Sequence, residues 1–166
     1  MNFFEYLNQD KNVNKYNVTK GKYVVILFRL AQLVQKRKSL SVILFWYPVF
    51  YRLFVHWFLC VEIYPESDIG PGLQLMHAHS LVIHPNTIIG KNCTLRQSTT
   101  IGVKLKLNGD TASSTPIIGD NVDIGAHSVL LGSITIGDNV TIGAGAIVIA
   151  SVPADRVAVG NPARVL

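Results

Sequence analysis

The second half of the chain carries an aliphatic residue at every sixth position. The series has three blocks: Ile63, Ile69 and Leu75; Ile83, Ile89, Leu95 and Ile101; Ile118, Ile124, Leu130, Ile136, Ile142 and Val148. A six-residue period matches neither the repeat of an α-helix, about 3.6 residues, nor the alternation of a strand. It predicts a mainly β fold over residues 61–153, a parallel β-helix with three flat faces per coil, in which each face turns one aliphatic side chain inward.

Small residues stand four positions after several of these aliphatics and are predicted to fill the corners between faces. They are Cys93, Val122, Ser128 and Val140. Cys93 is therefore interpreted as a small core residue and not as a nucleophile. Cys60 and Cys93 are the only two cysteines, too few for a disulfide framework, which favours a reducing compartment such as the cytosol. No signal peptide is evident.

The first sixty residues follow a different pattern. Residues 22–38 and 40–60 are apolar with few helix breakers, which predicts an N-terminal helical segment over residues 1–60. Pro48 is expected to kink or split the second helix. Residues 40–59 are long enough to span a bilayer, but Arg52 near their middle, together with Pro48 and His56, disfavours a transmembrane helix.

Charge is divided unevenly between the two halves. Residues 1–60 carry nine Lys and Arg against two acidic residues, and residues 61–166 carry six against eight. The second half lacks a basic stripe and stacking aromatics, so we expect no nucleic-acid partner. We favour a hypothesis in which the helices pack on the β-helix and on neighbouring subunits. The alternative is peripheral membrane contact through residues 1–60, supported by the basic run at 36–38.

The six-residue period slips at two places. Leu75 and Ile83 are eight residues apart, so two extra residues lie where His77 and His79 stand. Ile101 and Ile118 are seventeen apart, and the polar excess predicts an extruded loop at about 103–117. Residues 154–166 are predicted to form a C-terminal tail.

Stacking the faces in threes predicts what lies beside the first slip. Leu75, Leu95, Ile124 and Ile142 then share one column. This alignment puts His77 above Gln97, Ala126 and Ala144. A long thin molecule could lie against such small side chains and hydrogen-bond to the backbone, with a candidate base at one end of the groove.

Three motifs carry a resemblance to a known family: HAHSLVIHPNTIIG, IGAHSVLLGSITIGDNVTIGAGAIV and VGNPARVL. Residues 61–166 resemble the hexapeptide-repeat acyltransferases, within them the serine acetyltransferase group, and most of all its short members in colanic acid, capsule or other exopolysaccharide pathways. The resemblance implies a left-handed β-helix, a homotrimer with active sites between subunits, and acetyl transfer from acetyl-CoA to a hydroxyl. The sequence contains no metal-site signature, and we predict no metal.

The resemblance also assigns roles to single residues. His77 matches the catalytic histidine, a general base whose contribution to the rate is about 10²–10⁴. Glu62 matches an aspartate that orients the imidazole, with one methylene more. Positions that contact the cofactor in the family match Gly102, Val103, Ala126, Gly143 and Ala144, and Arg164 could meet the cofactor phosphates. The structural alternatives are a surface turn for His77, a cap of the first coil for Glu62 and a solvated tail charge for Arg164.

Two departures from the serine acetyltransferases concern the acceptor. Met76 stands where they carry Asp before the catalytic histidine, and Ser114-Thr115 stands where they carry Arg-His before the proline of the loop. An amino-acid acceptor needs a cation and an anion, whereas a sugar hydroxyl needs neither. We therefore predict a sugar or polysaccharide precursor as acceptor, with Met76 and His79 as candidate contacts. The alternatives are a serine O-acetyltransferase and a catalytically inactive scaffold. The predicted location is the cytoplasm, at the inner face of the membrane if the helices bind lipid.

Overall fold

The computed structural model describes residues 2–104 and 114–166. The helices precede the strands. They are α1 (Phe3–Asn8), α2 (Gly21–Lys36), α3 (Lys38–Ile43), α4 (Tyr47–Tyr51) and a π-helix (Arg52–Phe58). The strands are β1 (Val61–Ile63), β2 (Asp68–Ile69), β3 (Gln74–Met76), β4 (Leu81–Ile83), β5 (Ile88–Ile89), β6 (Thr94–Arg96), β7 (Thr100–Gly102), β8 (Ile117–Ile118), β9 (Asp123–Ile124), β10 (Val129–Leu131), β11 (Thr135–Ile136), β12 (Thr141–Ile142), β13 (Ile147–Val148), β14 (Val157–Val159) and β15 (Arg164–Val165).

These strands form three sheets that the chain visits in rotation. Face A has the order β1-β4-β7-β10-β13, face B β2-β5-β8-β11, and face C β3-β6-β9-β12-β14-β15. Every pairing is parallel except that of β14 with β15. The predicted fold class, a mainly β parallel β-helix behind an N-terminal helical segment, is confirmed.

The aliphatic series forms the core of the stack. Each of its thirteen members, from Ile63 to Val148, is 5% exposed or less. The predicted corner residues Cys93, Val122, Ser128 and Val140 are buried too. Burial raises the pKa of the Cys93 thiol to about 11, so the group stays protonated at neutral pH and behaves as a core side chain.

Asparagines occupy the corner between faces B and C. Asn92, Asn121 and Asn139 all have left-handed backbones, with φ of 56°, 58° and 58°. Asparagine tolerates this conformation better than most residues. Their side chains form a ladder: Asn92 donates to Asn121 at 3.2 Å, Asn121 to Asn139 at 3.0 Å, and Asn139 to Asp155 at 2.8 Å.

The C-terminal segment differs from its prediction. Residues 154–166 were expected to form a tail, but β14 pairs in parallel with β12 and adds a rung to face C. Its inward residue is Ala158, which is fully buried. Because alanine replaces the aliphatic side chain there, the hydrophobic period does not reveal this rung. β15 then turns back antiparallel and ends the sheet.

The extruded loop joins face A to face B between β7 and β8. The body of the predicted segment 103–117, residues 105–113, lies outside the described residues. Its C-terminal flank is held by side-chain hydrogen bonds. Thr115 Oγ1 donates to the Asn86 carbonyl at 2.7 Å, and the Ser114 amide donates to Ser133 Oγ at 3.0 Å.

Residues 3–58, here called the N-terminal cap, cover the open edge of the first coil. Arg29 of α2 is buried, and its guanidinium donates to both carboxylate oxygens of Asp10, at 2.7 and 3.1 Å. The same guanidinium donates to the carbonyls of Ile69 and Gly70, at 2.8 and 2.6 Å. Asp10 also accepts from the Leu73 amide at 2.8 Å. The buried Arg29–Asp10 pair thus hydrogen-bonds to backbone groups at the edge of the first coil that would otherwise have no partner.

Other polar side chains of the cap complete this closure. Asn14 donates to the Leu73 carbonyl at 2.8 Å, and Asn17 donates to the Leu75 carbonyl at 3.0 Å. Gln32 donates to the Ser67 carbonyl at 3.0 Å, and Tyr51 donates to the Ile63 carbonyl at 2.8 Å. The cap therefore supplies the donors that a further rung would have provided.

The helix break at Pro48 is confirmed. Pro48 lies in the first turn of α4, where the missing N–H costs nothing, and the chain leaves helical geometry between α3 and α4. Among the described residues, no helix combines the length and the apolarity needed to cross a membrane.

Candidate active site

His77 lies just after β3, at the corner where the chain passes from face C to face A. Its backbone is left-handed, with φ of 55°, and its side chain is exposed. Histidine is one of the residue types enriched in this conformation. The His77 amide donates to Thr19 Oγ1 of the cap at 3.3 Å, and the following Ala78 is fully buried. The bulge thus holds the backbone of His77 while its ring stays accessible.

The register at this corner corrects one detail of the sequence alignment. The residues that turn the chain into face A are left-handed in every coil: Cys60, Ser80, Ser98, His127 and Gly145. The Ser98 amide donates to the His79 carbonyl at 2.8 Å, as the His127 amide does to the Gln97 carbonyl at 3.0 Å. His79, and not His77, therefore continues the column of Gln97, Ala126 and Ala144. The inserted pair is His77-Ala78, because the ladder needs the turning residue to stay in register.

Glu62 occupies the middle of β1 and points outward from face A. It is paired in register with Val82 and is exposed. Tyr64 donates a long hydrogen bond of 3.4 Å to the Glu62 carboxylate. The described residues include no hydrogen bond between Glu62 and His77. The role of Glu62 in orienting the imidazole stays a prediction.

A cleft of about 440 Å³ opens beside Glu62. Its walls are formed by Arg52, His56, Trp57, Glu62 and Tyr64. His56 Nε2 lies 3.1 Å from the Ile63 carbonyl, and the His56 ring meets the Tyr64 ring edge-on at 4.8 Å. Partial burial and then the negative charge of Glu62 raise the pKa of Tyr64, so its hydroxyl stays a hydrogen-bond donor at neutral pH.

Sequence patterns did not predict that Arg52 and Trp57 line this cleft. Both lie in an apolar run, and the π-helix decides which way each of them points. A π-helix adds a residue to each turn, so the usual helical periodicity fails there. The one available signal was the helix's position directly before β1.

The predicted cofactor contacts fall into two groups. Ala126, Gly143 and Ala144 lie at the corner between faces C and A, and the Gly145 amide donates to the Ala126 carbonyl at 2.8 Å. Rungs are about 4.8 Å apart, so the column from His79 through Gln97 and Ala126 to Ala144 extends about 14 Å, and its small residues lie at the Ala126–Ala144 end. Arg164 of β15 lies beyond it, because it pairs with Val159, and β14 pairs with β12.

Gly102 and Val103 do not join that row. Gly102 is the last residue of β7 and Val103 follows it, at the edge of face A away from the corner with face C. A Cβ added at Gly102 would meet only Leu131 Cδ2, at 3.7 Å, so close packing does not demand a glycine there. A single chain therefore keeps the two groups of predicted cofactor contacts on opposite edges of one face.

Sequence comparison supports the architecture. Residues 115–150 match the bacterial transferase hexapeptide (six repeats) family. Escherichia coli WcaB, named as a colanic acid biosynthesis acetyltransferase, is 37% identical over 117 residues, which are 70% of this chain and 70% of that protein. The chain belongs to the hexapeptide-repeat transferase family. The left-handed β-helix expected from the resemblance is thereby confirmed.

This chain is also similar to serine acetyltransferases. Serine acetyltransferase 1 of Arabidopsis thaliana chloroplasts is 49% identical over 106 residues, 64% of this chain. The chain spans only 33% of the length of that relative. The soybean serine acetyltransferase apoenzyme superposes with a TM-score of 0.79 at 29% identity, covering 98% of this chain and 68% of the soybean chain.

Metal ligands were not expected from the sequence. In residues 2–104 and 114–166, no three His, Cys, Asp or Glu side chains form a group that could hold a metal ion. Cys60 and Cys93 lie apart from each other as free thiols, one exposed and one buried.

Proposed function

We propose that the protein is an acetyl-CoA-dependent O-acetyltransferase of the cytoplasm that acts on a hydroxyl of a sugar or polysaccharide precursor. The observation that carries the proposal is the exposed His77 on a bulge directly before the corner column of His79, Gln97, Ala126 and Ala144. The imidazole removes the proton of the acceptor hydroxyl as the oxygen attacks the thioester carbonyl. The C–S bond then breaks, and the imidazolium returns the proton to the departing thiolate of coenzyme A.

Three anchors around His77 support its role as the base. The His77 amide is bound to Thr19, Ala78 is buried, and the His79 carbonyl is paired with Ser98. A backbone fixed on both sides keeps the ring of His77 near one position, which acid–base catalysis requires. We propose Glu62 as a positioning residue that stabilises the imidazolium.

The cofactor is proposed to lie along the row of Ala126, Gly143 and Ala144. Its phosphates would reach the guanidinium of Arg164, which presents a fork of donors suited to phosphate. Gly102 and Val103 lie at the other edge of face A, so we propose that a neighbouring copy contributes them. A trimer with its active sites between subunits accounts for both groups.

Three features favour a sugar as the acceptor. Met76 offers no charge beside His77, and Ser114-Thr115 offers no cation at the loop. Trp57 lines the cleft and is 73% exposed, so its flat ring is available to stack on a sugar ring. We propose the cleft, with Met76 and His79, as the acceptor site.

One observation favours the second candidate, a serine O-acetyltransferase. Arg52 and Glu62 line the same cleft, and together they offer the cation and the anion that an amino acid would need. The similarity to the Arabidopsis serine acetyltransferase over 106 residues supports it further.

The deciding experiment supplies acetyl-CoA with either L-serine or a panel of nucleotide sugars and oligosaccharides. Free coenzyme A is followed with a thiol reagent, and the acetylated product is identified by mass spectrometry. Cys60 is exposed and would react with the reagent, so the Cys60→Ser background is used. Serine already stands at the equivalent corners, Ser80 and Ser98. Turnover with a saccharide and not with serine is the expected result.

Variants of the cleft test the choice of acceptor. Trp57→Ala should raise KM for a saccharide by about tenfold, because stacking on an aromatic ring is lost. Arg52→Gln should have the larger effect if the acceptor is serine, because its carboxylate loses the cation. Efficient turnover of serine would overturn the sugar proposal, and no turnover of any acceptor would leave the inactive scaffold.

A further inference from the structure

The outer side of the cap is apolar where a surface helix is normally polar. Within residues 42–58, ten large hydrophobic side chains are between 36% and 77% exposed: Val42, Ile43, Phe45, Trp46, Val49, Phe50, Leu53, Phe54, Trp57 and Phe58. We call them the aromatic face. Tyr47, Tyr51 and Val55 point the other way and are buried, so the cap is anchored without the aromatic face. A contiguous exposed patch of this kind marks an interaction surface.

The rings of this face are ordered among themselves. Phe50 stacks on Phe54 at 5.4 Å between centroids, and Phe54 stacks on Phe58 at 5.5 Å. With Leu53 these three rings line an open groove of about 330 Å³. Trp46 and Trp57, the two tryptophans of the chain, both belong to the face.

The segment that carries the aromatic face is basic, and the acidic Glu62 meets the face only at the cleft beside Trp57. Between Asp10 and Glu62 the sequence contains nine Lys and Arg and no acidic residue. Arg29 is buried against Asp10, whereas Lys36, Arg37 and Lys38 are exposed directly before α3 begins to form the face. Residues 61–166 carry six basic against eight acidic residues. An anionic surface would therefore attract this end of the molecule and not the opposite end.

The sign of the charge selects the partner. Two copies of the aromatic face would bring their basic borders together with no acidic residue of the segment to pair with them, which opposes self-association. An anionic lipid surface supplies both the apolar interior for the rings and the negative charge for the border. An aromatic side chain with a polar atom, such as Trp46, suits the boundary between headgroups and acyl chains.

We propose that the aromatic face docks the protein on an anionic lipid bilayer as a monotopic surface. The short helices α3 and α4 and the π-helix lie along the bilayer plane and insert the aromatic side chains of the face other than Trp57, which lines the acceptor cleft. Lys36, Arg37 and Lys38 contact lipid phosphates. This inference goes beyond the proposed acetyltransferase activity and does not depend on it.

Tryptophan emission makes the test direct. The 166-residue protein is mixed with vesicles of phosphatidylcholine alone or with phosphatidylglycerol added, and tryptophan emission and flotation are measured. Because Trp46 is 50% exposed, its emission should shift to the blue on binding and be quenched by brominated lipid, whereas Trp57 lines the acceptor cleft. Binding should require phosphatidylglycerol and should weaken strongly between about 0.1 M and about 1 M salt.

Three variants locate the contact. Val42→Ser with Phe45→Ser should reduce vesicle partitioning by about tenfold or more, since both side chains are over 70% exposed. Neutralising Lys36, Arg37 and Lys38 together, each to Ser, should reduce it by about a hundredfold. The matched control is Phe4→Ser with Tyr16→Ser, equally exposed apolar side chains outside the face, which should bind like the wild type.

Three results would overturn the proposal. They are wild-type protein that stays unbound to phosphatidylglycerol vesicles, binding that the Val42 and Phe45 changes leave intact, and tryptophan emission already shifted to the blue without lipid. In the last case, sedimentation showing that the Val42 and Phe45 changes dissociate a larger assembly would assign the aromatic face to a second copy of the chain. Acetyl transfer is assayed separately with soluble acceptors, so failure of either proposal is distinguishable.

Discussion

The N-terminal cap and the β-helix pair their backbone polar groups by opposite means. In the β-helix each rung satisfies the next through amide-to-carbonyl bonds, as Gly90 does with Ile118 and Gly119 with Ile136. In the cap, single side chains reach the first coil: Arg29 alone donates to two of its carbonyls. The stability of the stack is therefore spread over many equivalent contacts, whereas that of the cap is concentrated in a few.

The same contrast separates the residues that stabilise the fold from the residues that are candidates for its chemistry. Regular corners are filled by buried residues such as Cys93 and Val122, while the inserted pair at His77 leaves a titratable side chain exposed. The irregular places, which the repeat does not need, are the ones that carry candidate functions. Four experiments can break or sharpen this comparison.

The largest effect is expected on activity. His77→Ala should lower turnover by about 10²–10⁴, the usual contribution of a general base. The unfolding midpoint should change little, because the His77 side chain is exposed. His84→Ala is the control: its Nδ1 accepts from the Asn86 amide at 3.2 Å in a different corner, and turnover should persist. Full activity of the His77 variant would assign the chemistry to another group.

The next effect concerns the concentrated stability of the cap. Asp10→Ala leaves the Arg29 guanidinium buried without its carboxylate, which should cost about 3–5 kcal/mol of unfolding free energy. Asp123→Ala removes the other salt bridge among the described residues, with Arg96, whose side chains are 37% and 43% exposed, and should cost about 0–1 kcal/mol. Denaturant unfolding at one protein concentration measures both. Equal losses would refute the contrast between cap and stack.

A smaller effect is expected in the asparagine ladder. Asn121→Ala removes two side-chain bonds and puts a Cβ residue without a polar side chain at φ 58°, which should cost about 1–2 kcal/mol. Asn121→Gly removes the same bonds but relieves the backbone, so thermal unfolding should show a smaller loss. If glycine and alanine cost the same, the left-handed backbone would contribute nothing to the difference, and the loss would be assigned to the amide ladder.

The smallest effect is a pH dependence from Cys93. Its pKa is raised from 9.0 to about 11, so the folded state holds the proton more tightly than the unfolded state. Stability present below pH 9 should be lost as pH rises toward 11, by about 1 kcal/mol at pH 10. Cys93→Ala should lack this slope. A wild-type profile parallel to that of the alanine variant would show that Cys93 does not titrate as a buried thiol.

The β-helix could be predicted because its rungs repeat one environment. Every face needs an inward aliphatic side chain, so the thirteen aliphatic positions at six-residue spacing predict the fold. The rung at Ala158 was missed because a small residue serves there. The helix α1 lies within the predicted helical segment 1–60, but its bounds were not predicted, although Asn2 and Glu5 form a capping box at 2.8 Å, a pattern visible in the sequence.

The cap and the cleft could not be predicted for a physical reason. Their contacts join side chains far apart in sequence, such as Asn14 with Leu73 and Arg29 with Gly70. The bulge at His77 was located by the slipped period, but its register was displaced by two residues. Only the inter-coil bond from Ser98 to His79 fixes which residue is inserted.

The β14–β15 hairpin and the cap have one further consequence. Each closes one end of the stack with contacts that the middle rungs do not make. Neither end therefore fixes the number of turns between them. Ile118 pairs with Ile136, and Ile124 with Ile142, eighteen residues apart. Segments of that size could be duplicated or deleted as whole turns. The length of the β-helix can then be changed while the cap and the hairpin still close its two ends.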